Sequence, residues 1–144
     1  FVVKKEALNI IIRLLEGDFP EYEGILKKGQ PHEIKMDRQL FLMMLKRMSI
    51  LSTEDYRSVI FKFGQDNLNI TSTNPDIGES KEDIGINFSG DSIEVAFNPK
   101  YFIETLNVID EENIVLYIEN NEKPCMLEAE KNKQFLTVIM PMRI

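Results

Sequence analysis

Two aligned stretches decide the fold: IKMDRQLFLMMLKRM at residues 34–48 and VAFNPKYFIETLNVI at residues 95–109. In each, a strand-like segment leads into a helix-capping residue, Asp37 or Asn98, and then into apolar residues at helical spacing. The aligned apolar pairs are Ile34 with Val95, Met36 with Phe97, Phe41 with Phe102, Leu45 with Leu106, and Met48 with Ile109. Any two amphipathic helices would align in part, but here strand, cap and helix coincide, which favours an internal repeat.

Strand patterns continue on both sides of these stretches. One helix is predicted from Asp37 to about Ile50, and a second from Pro99, a favourable first helical residue, to about Ile109. TNPDIGESKED (73–83) is predicted to be a loop, and Ser89-Gly90-Asp91 predicts a hairpin between the flanking strands. The predicted strands are HEIKM (32–36), RSVIFKFG (57–64), NLNITST (67–73), IGINFS (84–89), SIEVAFN (92–98), NIVLYIE (113–119), CMLEAE (125–130) and FLTVIM (135–140). This order predicts an α+β domain with pseudo-two-fold symmetry and two helices packed against a sheet.

The first part of the chain differs from the rest. FVVK (1–4) and ALNIIIRLL (7–15) are predicted strands around a charged turn at Lys5-Glu6, and they are too short to be stable alone. EGDFPEYEGILKKGQP (16–31) has the composition of a linker. We therefore assign residues 1–28 to the end of a preceding domain and residues 29–144 to one further domain. The start at Phe1 also suggests a fragment of a longer chain.

Composition restricts the class of protein. The 144 residues are enough for about one domain, and no run approaches the ~20 apolar residues of a membrane span. The single cysteine, Cys125, excludes an internal disulfide and fits a reduced, cytoplasmic setting. A net charge of −7 argues against a surface that binds nucleic acid everywhere, but it allows a local basic face.

Helical projection separates an inner and an outer face on each predicted helix. In the first helix the inner residues are Phe41, Met44, Leu45 and Met48, and the outward ones are Gln39, Leu42, Met43 and Lys46, with Arg47 at the edge. In the second, Phe102, Leu106 and Ile109 face inward, and Lys100, Glu104 and Asn107 face outward. Each outward face could contact phosphates without reading bases, although composition alone favours an ordinary solvated face.

The sequence gives little support for catalysis, a metal or a cofactor. The acidic run at residues 110–112 fits a solvated turn, and His32 is the only histidine. Cys125 follows a proline in a strand, where a small buried residue is the simpler interpretation. There is no Gly-rich phosphate loop. We therefore expect a non-catalytic protein without a cofactor.

Four stretches resemble the β subunit of bacterial DNA polymerase III, the sliding clamp. They are EGDFPEYEGIL (16–26), ILSTEDYRSV (50–59), TSTNPDIGES (71–80) and VIMPMR (138–143), in the order and at a spacing compatible with that family. The resemblance implies a clamp domain made of two βαβββ units. It also implies a ring of two head-to-tail protomers, each of three domains, that encircles duplex DNA without sequence preference and acts as a processivity factor in DNA replication.

The resemblance further implies a pocket for short peptide motifs containing Gln and Leu or Phe, carried by the polymerase α subunit, the clamp loader and other partners. Its predicted residues are Pro20, Ile25, Asn98, Tyr101, Pro124, Val138, Met140, Pro141, Met142 and Arg143. Met and Pro would form an adaptable apolar trough, and Arg143 or Asn98 would hold a peptide backbone or Gln amide. Val138 and Met140 could equally be core residues. Gly24 departs from the family, where many members have a basic residue.

Two further surfaces follow from the same resemblance. The predicted dimer interface comprises Ile50, Leu51, Asp76, Glu79 and Glu82. The predicted DNA-facing residues are Lys46, Arg47, Tyr56, Arg57, Lys100 and Asn107. Ordinary helix-end packing of Ile50 and Leu51, and a surface salt bridge for Arg57, remain open. The alternative function is a peptide-binding module with no DNA role of its own.

Overall fold

The computed structural model describes residues 1–14, 16–17, 21–26, 29, 31–52, 58–134 and 136–143. Its helices are α1 (Glu23–Leu26), α2 (Arg38–Met48) and α3 (Pro99–Val108). Its strands are β1 (Val2–Lys5), β2 (Leu8–Ile11), β3 (His32–Asp37), β4 (Val59–Gly64), β5 (Asn67–Asn74), β6 (Gly78–Gly85), β7 (Ile93–Phe97), β8 (Asn113–Ile118), β9 (Cys125–Ala129) and β10 (Thr137–Ile139). From β3 onward the order is βαβββ twice, so the predicted repeat is confirmed.

The two repeats exchange their first strands. One antiparallel sheet has the order β10-β9-β8-β3 and the other has the order β6-β5-β4-β7. Strand β3 of the first repeat thus pairs with β8 of the second, and β7 of the second pairs with β4 of the first. Neither repeat can complete its own sheet, so the two units form one cooperative domain.

Both long helices begin at the predicted caps. The Asp37 carboxylate accepts a hydrogen bond from the Leu40 N–H at 2.6 Å, and the Asn98 side-chain oxygen accepts one from the Lys100 N–H at 3.0 Å. Each bond satisfies a backbone donor that the first helical turn leaves unpaired. The helices end slightly earlier than predicted, at Met48 and Val108.

Buried aromatic rings join the two repeats. The Phe61 ring on β4 lies 5.3 Å, centroid to centroid, from Phe97 on β7 and from Phe102 on α3. Phe41 on α2 lies 6.0 Å from Phe102 in an edge-to-face contact. These separations are within the range of attractive aromatic pairs. Phe41 and Phe102 occupy equivalent positions in the two repeats. Their contact therefore lies where the two pseudo-symmetric units meet in the core.

The prediction that Leu42 faces outward is wrong. Leu42 is only 4% exposed and belongs to the main core, whereas Met43 is 42% exposed as predicted. Helix α2 packs against α3 as well as against strands of the sheets. Its buried stripe is therefore wider than that of a helix that packs against a sheet alone. Leu42 is thus a core residue rather than an outward-facing one.

The predicted loop at residues 73–83 is mostly a strand. Strand β6 pairs with β5 from Asn74↔Gly78 to Asn67↔Gly85. Only Ile84 is buried along β6, because this strand lies at the edge of its sheet. Charged residues are common on edge strands, where they discourage pairing with other chains. That composition resembles a loop, which explains the error.

The predicted hairpin at Ser89-Gly90-Asp91 is also wrong. Strands β6 and β7 lie at opposite edges of their sheet, and β7 returns beside β4 in a Greek-key order. The connection is held by Asp66, whose N–H donates to the Phe88 carbonyl and whose carbonyl accepts from the Ile86 N–H, both at 3.1 Å. The predicted strand at 84–89 is a strand only at Ile84 and Gly85, and the residues that follow form a crossing connection to β7 rather than a hairpin.

The N-terminal hairpin leaves its apolar side chains uncovered. Strands β1 and β2 pair from Val2↔Ile11 to Lys5↔Leu8, and every residue in both strands is exposed. The most exposed of these apolar side chains belongs to Ile11, which is 81% exposed. This exposure is compatible with the predicted boundary near residue 28, which remains a prediction. Within the described residues, no helix combines the length and apolar character needed to cross a membrane.

Candidate functional site

The C-terminal tail connects the two sheets. Strand β10 lies at the edge of one sheet, where Val138 pairs with Met126 of β9. After Pro141, the Met142 N–H donates to the Ala96 carbonyl of β7 at 2.8 Å, at the edge of the other sheet. The backbone of the tail is thus fixed at two points, while the Met140 side chain between them remains 58% exposed.

Two clefts meet at Met140. The first has a volume of about 590 Å³, and its lining comprises Asn121, Glu122, Met140, Pro141, Met142 and Arg143. The second has a volume of about 460 Å³, and its lining comprises Tyr101, Glu104, Thr105, Thr137, Val138, Ile139 and Met140. Both are open to solvent. The second has a mainly apolar lining, as ligand sites usually have, whereas the first is lined by polar and apolar groups in similar measure.

The second cleft lies between helix α3 and the edge strand β10. The Thr105 hydroxyl donates to the Tyr101 carbonyl at 2.9 Å and also lies 3.4 Å from the Thr137 hydroxyl oxygen. The first hydrogen bond lies within α3, and the second joins the helix to the strand. The Tyr101 side chain remains exposed at the cleft, where it offers an aromatic face and a phenolic hydroxyl.

The structure brings together most, but not all, of the predicted pocket residues. Those that line a cleft are Tyr101, Val138, Met140, Pro141, Met142 and Arg143. Asn98 caps α3, Pro124 is half-buried before β9, and Ile25 is exposed on α1; none of these three lines either cleft. Pro20 lies outside the described residues.

Several lining residues were not anticipated. They are Glu104, Thr105, Asn121, Glu122, Thr137 and Ile139. Helical spacing offered a signal for two of them, because positions three and four after Tyr101 share its helix face. Asn121 and Glu122 belong to the β8–β9 connection, and their approach to the tail depends on sheet pairing that the sequence alone does not specify.

The comparison with known proteins agrees with this geometry. The family described as "DNA polymerase III beta subunit, C-terminal domain" matches residues 24–143. The chain belongs to this family. Similar curated proteins include the beta sliding clamps of Pseudomonas putida and Escherichia coli K12, which are 33% and 29% identical over 132 residues. Each alignment covers 92% of this chain and 36% of the relative, so the chain spans about a third of the length of these sliding clamps.

Solved structures of clamp-family proteins have the same fold. A DNA polymerase sliding clamp from Pseudomonas aeruginosa superposes with a TM-score of 0.83 at 29% identity, covering 92% of this chain and 36% of that one. A putative DNA polymerase III beta subunit from Eubacterium rectale gives 0.83 at 30% identity, with coverage of 99% and 39%. The Thermotoga maritima beta subunit gives 0.85 at 22% identity, covers 99% of this chain and 39% of that one, and supports the fold alone.

The three described basic residues predicted to face DNA in this clamp-family chain, Lys46, Arg47 and Lys100, are exposed, but two of them are paired. The Arg47 guanidinium donates from both Nε and Nη2 to the Glu82 carboxylate, and the Lys100 Nζ lies 3.8 Å from Glu104. Lys46 and Asn107 are exposed, and Lys46 forms no ion pair within the described residues. Tyr56 and Arg57 lie outside the described residues.

The residues predicted for the clamp dimer interface surround the turn between β5 and β6. Ile50 is 75% exposed, Leu51 is half-buried, and Asp76 and Glu79 are exposed. Buried Asn74 joins the two parts of this surface. Its side-chain amide donates to the Leu51 carbonyl at 3.1 Å and accepts from the Asp76 N–H at 3.0 Å.

Among the groups whose pKa departs clearly from its normal value, Glu82 and Cys125 bear on the candidate surfaces and on reactivity. The hydrogen bonds from Arg47 lower the pKa of the Glu82 carboxyl. Burial raises the pKa of the Cys125 thiol, which keeps it protonated and unreactive. Among the described residues, no three His, Cys, Asp or Glu side chains gather to hold a metal ion.

Proposed function

We propose that this chain is the C-terminal part of a non-catalytic processivity clamp subunit, which tethers a replicative DNA polymerase to its template. Family membership and the βαβββ repeat support the clamp architecture. The observation that carries the proposal is the pair of clefts built around the C-terminal tail, with Met140 exposed at their junction. We place the protein in the bacterial cytoplasm, associated with the nucleoid.

The clefts would bind an extended peptide from a partner. Met140 and Met142 have flexible, polarizable side chains that adapt to Leu or Phe anchors. The Arg143 guanidinium and the Tyr101 hydroxyl can bind peptide carbonyls or a Gln amide. The Asn98 side-chain oxygen is engaged in capping α3, which leaves its amide N–H groups as donors. The proposed partners are the polymerase α subunit, the clamp loader and other proteins with a similar motif.

The DNA role requires a complete ring. Two copies of the longer subunit would associate head to tail through the surface that contains Ile50, Leu51, Asp76, Glu79 and Glu82. Helices α2 and α3 would face the enclosed duplex, with Lys46 and Lys100 contacting phosphates regardless of sequence. Weak contact suits sliding, because retention would depend on ring closure rather than on affinity for DNA.

The alternative is a peptide-binding module without a DNA role. It is favoured by the net charge of −7 and by the pairing of Arg47 and Lys100 with carboxylates, which reduces the positive charge available to phosphates. Both candidate functions share the peptide clefts and differ only in the requirement for encirclement.

Substitution of the tail methionines tests the shared part of the proposal. We expect Met140→Ala with Met142→Ala to weaken binding of a polymerase C-terminal peptide at least about fivefold, because apolar contact area in the cleft is lost. Fluorescence anisotropy with a labelled peptide measures the affinity.

The matched control is Met43→Ala, which removes a similarly exposed methionine from α2, outside both clefts. Circular dichroism should report folded protein for every variant. Unchanged affinity in the folded double variant would show that the clefts do not bind the peptide.

A further inference from the structure

An acidic residue of the β8–β9 connection, Glu122, contributes to the first cleft. It lines this cleft together with residues 140–143 of the tail, including Arg143. The Glu122 side chain is exposed, so its carboxylate is accessible to a ligand. The first cleft therefore combines the Met and Pro side chains of the tail with an acidic group that the tail motif does not reveal.

The backbone that carries Glu122 is held by a local turn. The Asn120 side-chain oxygen accepts hydrogen bonds from the Glu122 N–H at 3.0 Å and from the Lys123 N–H at 2.9 Å. Such side-chain-to-backbone hydrogen bonds are typical of Asn-initiated turns and define the local backbone conformation. Glu122 is consequently presented from an ordered position beside the cleft.

The neighbouring charges leave the Glu122 carboxylate unneutralised. The Lys123 ammonium pairs with Glu119 at 2.5 Å. Within the described part of the chain, neither Glu122 nor Arg143 forms an ion pair, although both line the same cleft. The cleft thus carries one negative and one positive group that are not in contact with each other, with Met and Pro side chains in the same lining.

We propose that Glu122 selects partner peptides that carry a lysine or arginine beside their apolar anchor residues. This inference rests on the proposed function of the cleft as a peptide site. Because Glu122 is exposed and screened by solvent, its selectivity is modest, about two- to fivefold at low salt.

A matched set of peptides tests the inference on the 144-residue chain. The parent is a labelled neutral peptide that contains one Gln and a Leu-Phe pair. Four derivatives carry Lys or Glu at the position before the Gln or after the Phe. Affinities are measured by fluorescence anisotropy at about 50 mM and about 500 mM NaCl, where screening differs strongly.

At one of the two positions, the Lys peptide should bind about two- to fivefold more tightly than the Glu peptide at low salt. The difference should disappear at high salt and in Glu122→Gln. It should persist in Glu33→Gln, a control on an exposed residue of β3 outside both clefts. Circular dichroism verifies that both variants are folded.

The alternative outcomes separate two failures. If the neutral parent peptide does not bind, the proposed function of the cleft is wrong, and so is the inference about Glu122. If the parent binds but Lys and Glu derivatives bind equally, or their difference survives Glu122→Gln, the cleft remains a peptide site and the role of Glu122 is wrong.

Discussion

At the scale of single residues, the clearest correspondence between sequence and structure is the pair Phe41 and Phe102. They occupy equivalent positions of the repeat, both are fully buried, and their rings meet edge to face. Helical spacing was sufficient to place both in the core, because each lies on the most apolar stripe of its helix. Leu42 was misplaced, because the projection of one helix does not show which neighbouring elements cover the sides of its apolar stripe.

Phe102→Ala should destabilise the domain by about 3–5 kcal/mol, because the ring contacts three other buried phenylalanines and its removal leaves a cavity. Urea unfolding followed by circular dichroism measures the change. Tyr101→Ala, at the exposed neighbouring position, is the control and should have a much smaller effect. A loss below about 1 kcal/mol for Phe102→Ala would mean that this aromatic cluster is not central to stability.

At the scale of elements, the strongly amphipathic or apolar segments could be predicted from the sequence, whereas the charged edge strand β6 could not. Both helices and the strands from β8 to β10 have patterns set by burial. Strand β6 is recognised only through its pairing with β5, because its side chains are mostly exposed and charged. The same limit applies to the return of β7 beside β4, which depends on long-range pairing rather than on turn composition.

The ion pair between Arg47 of α2 and Glu82 of β6 makes stability depend on pH. Because pairing lowers the folded-state pKa of Glu82, its contribution is present above the unfolded value of about 4.3 and is lost as pH falls through the folded value. Both side chains are partly exposed, so the effect should be less than about 1 kcal/mol.

Comparison of Glu82→Gln with the unchanged chain measures this contribution. Urea unfolding should show that the variant is less stable at pH near 7 and equally stable well below the folded pKa of Glu82. Glu79→Gln, an exposed position on the same strand, should show no such difference at either pH. An equal stability gap for Glu82→Gln at both pH values would exclude the linkage.

At the scale of the whole molecule, the exchanged strands and the connecting tail place the candidate site at the junction of the two sheets. The tail residues of the clefts were predicted from their resemblance to a family motif, together with Tyr101. Glu122 was not predicted, because its approach to Arg143 in the cleft follows from the pairing of β8, β9 and β10 and from a turn held by Asn120. The sequence motif predicted the tail residues of the clefts, whereas the charged residue Glu122 could be assigned to the first cleft only from the tertiary structure.

The most direct test of the clamp proposal uses the longer subunit that contains this chain, loaded by its clamp loader onto nicked circular DNA. Retention is measured by gel filtration before and after a restriction enzyme cuts the circle. If the protein encircles DNA, it should remain on intact circles at high salt and dissociate once the circle is linear. Equal dissociation from intact and linear DNA would contradict the topological clamp and leave only a peptide-binding module.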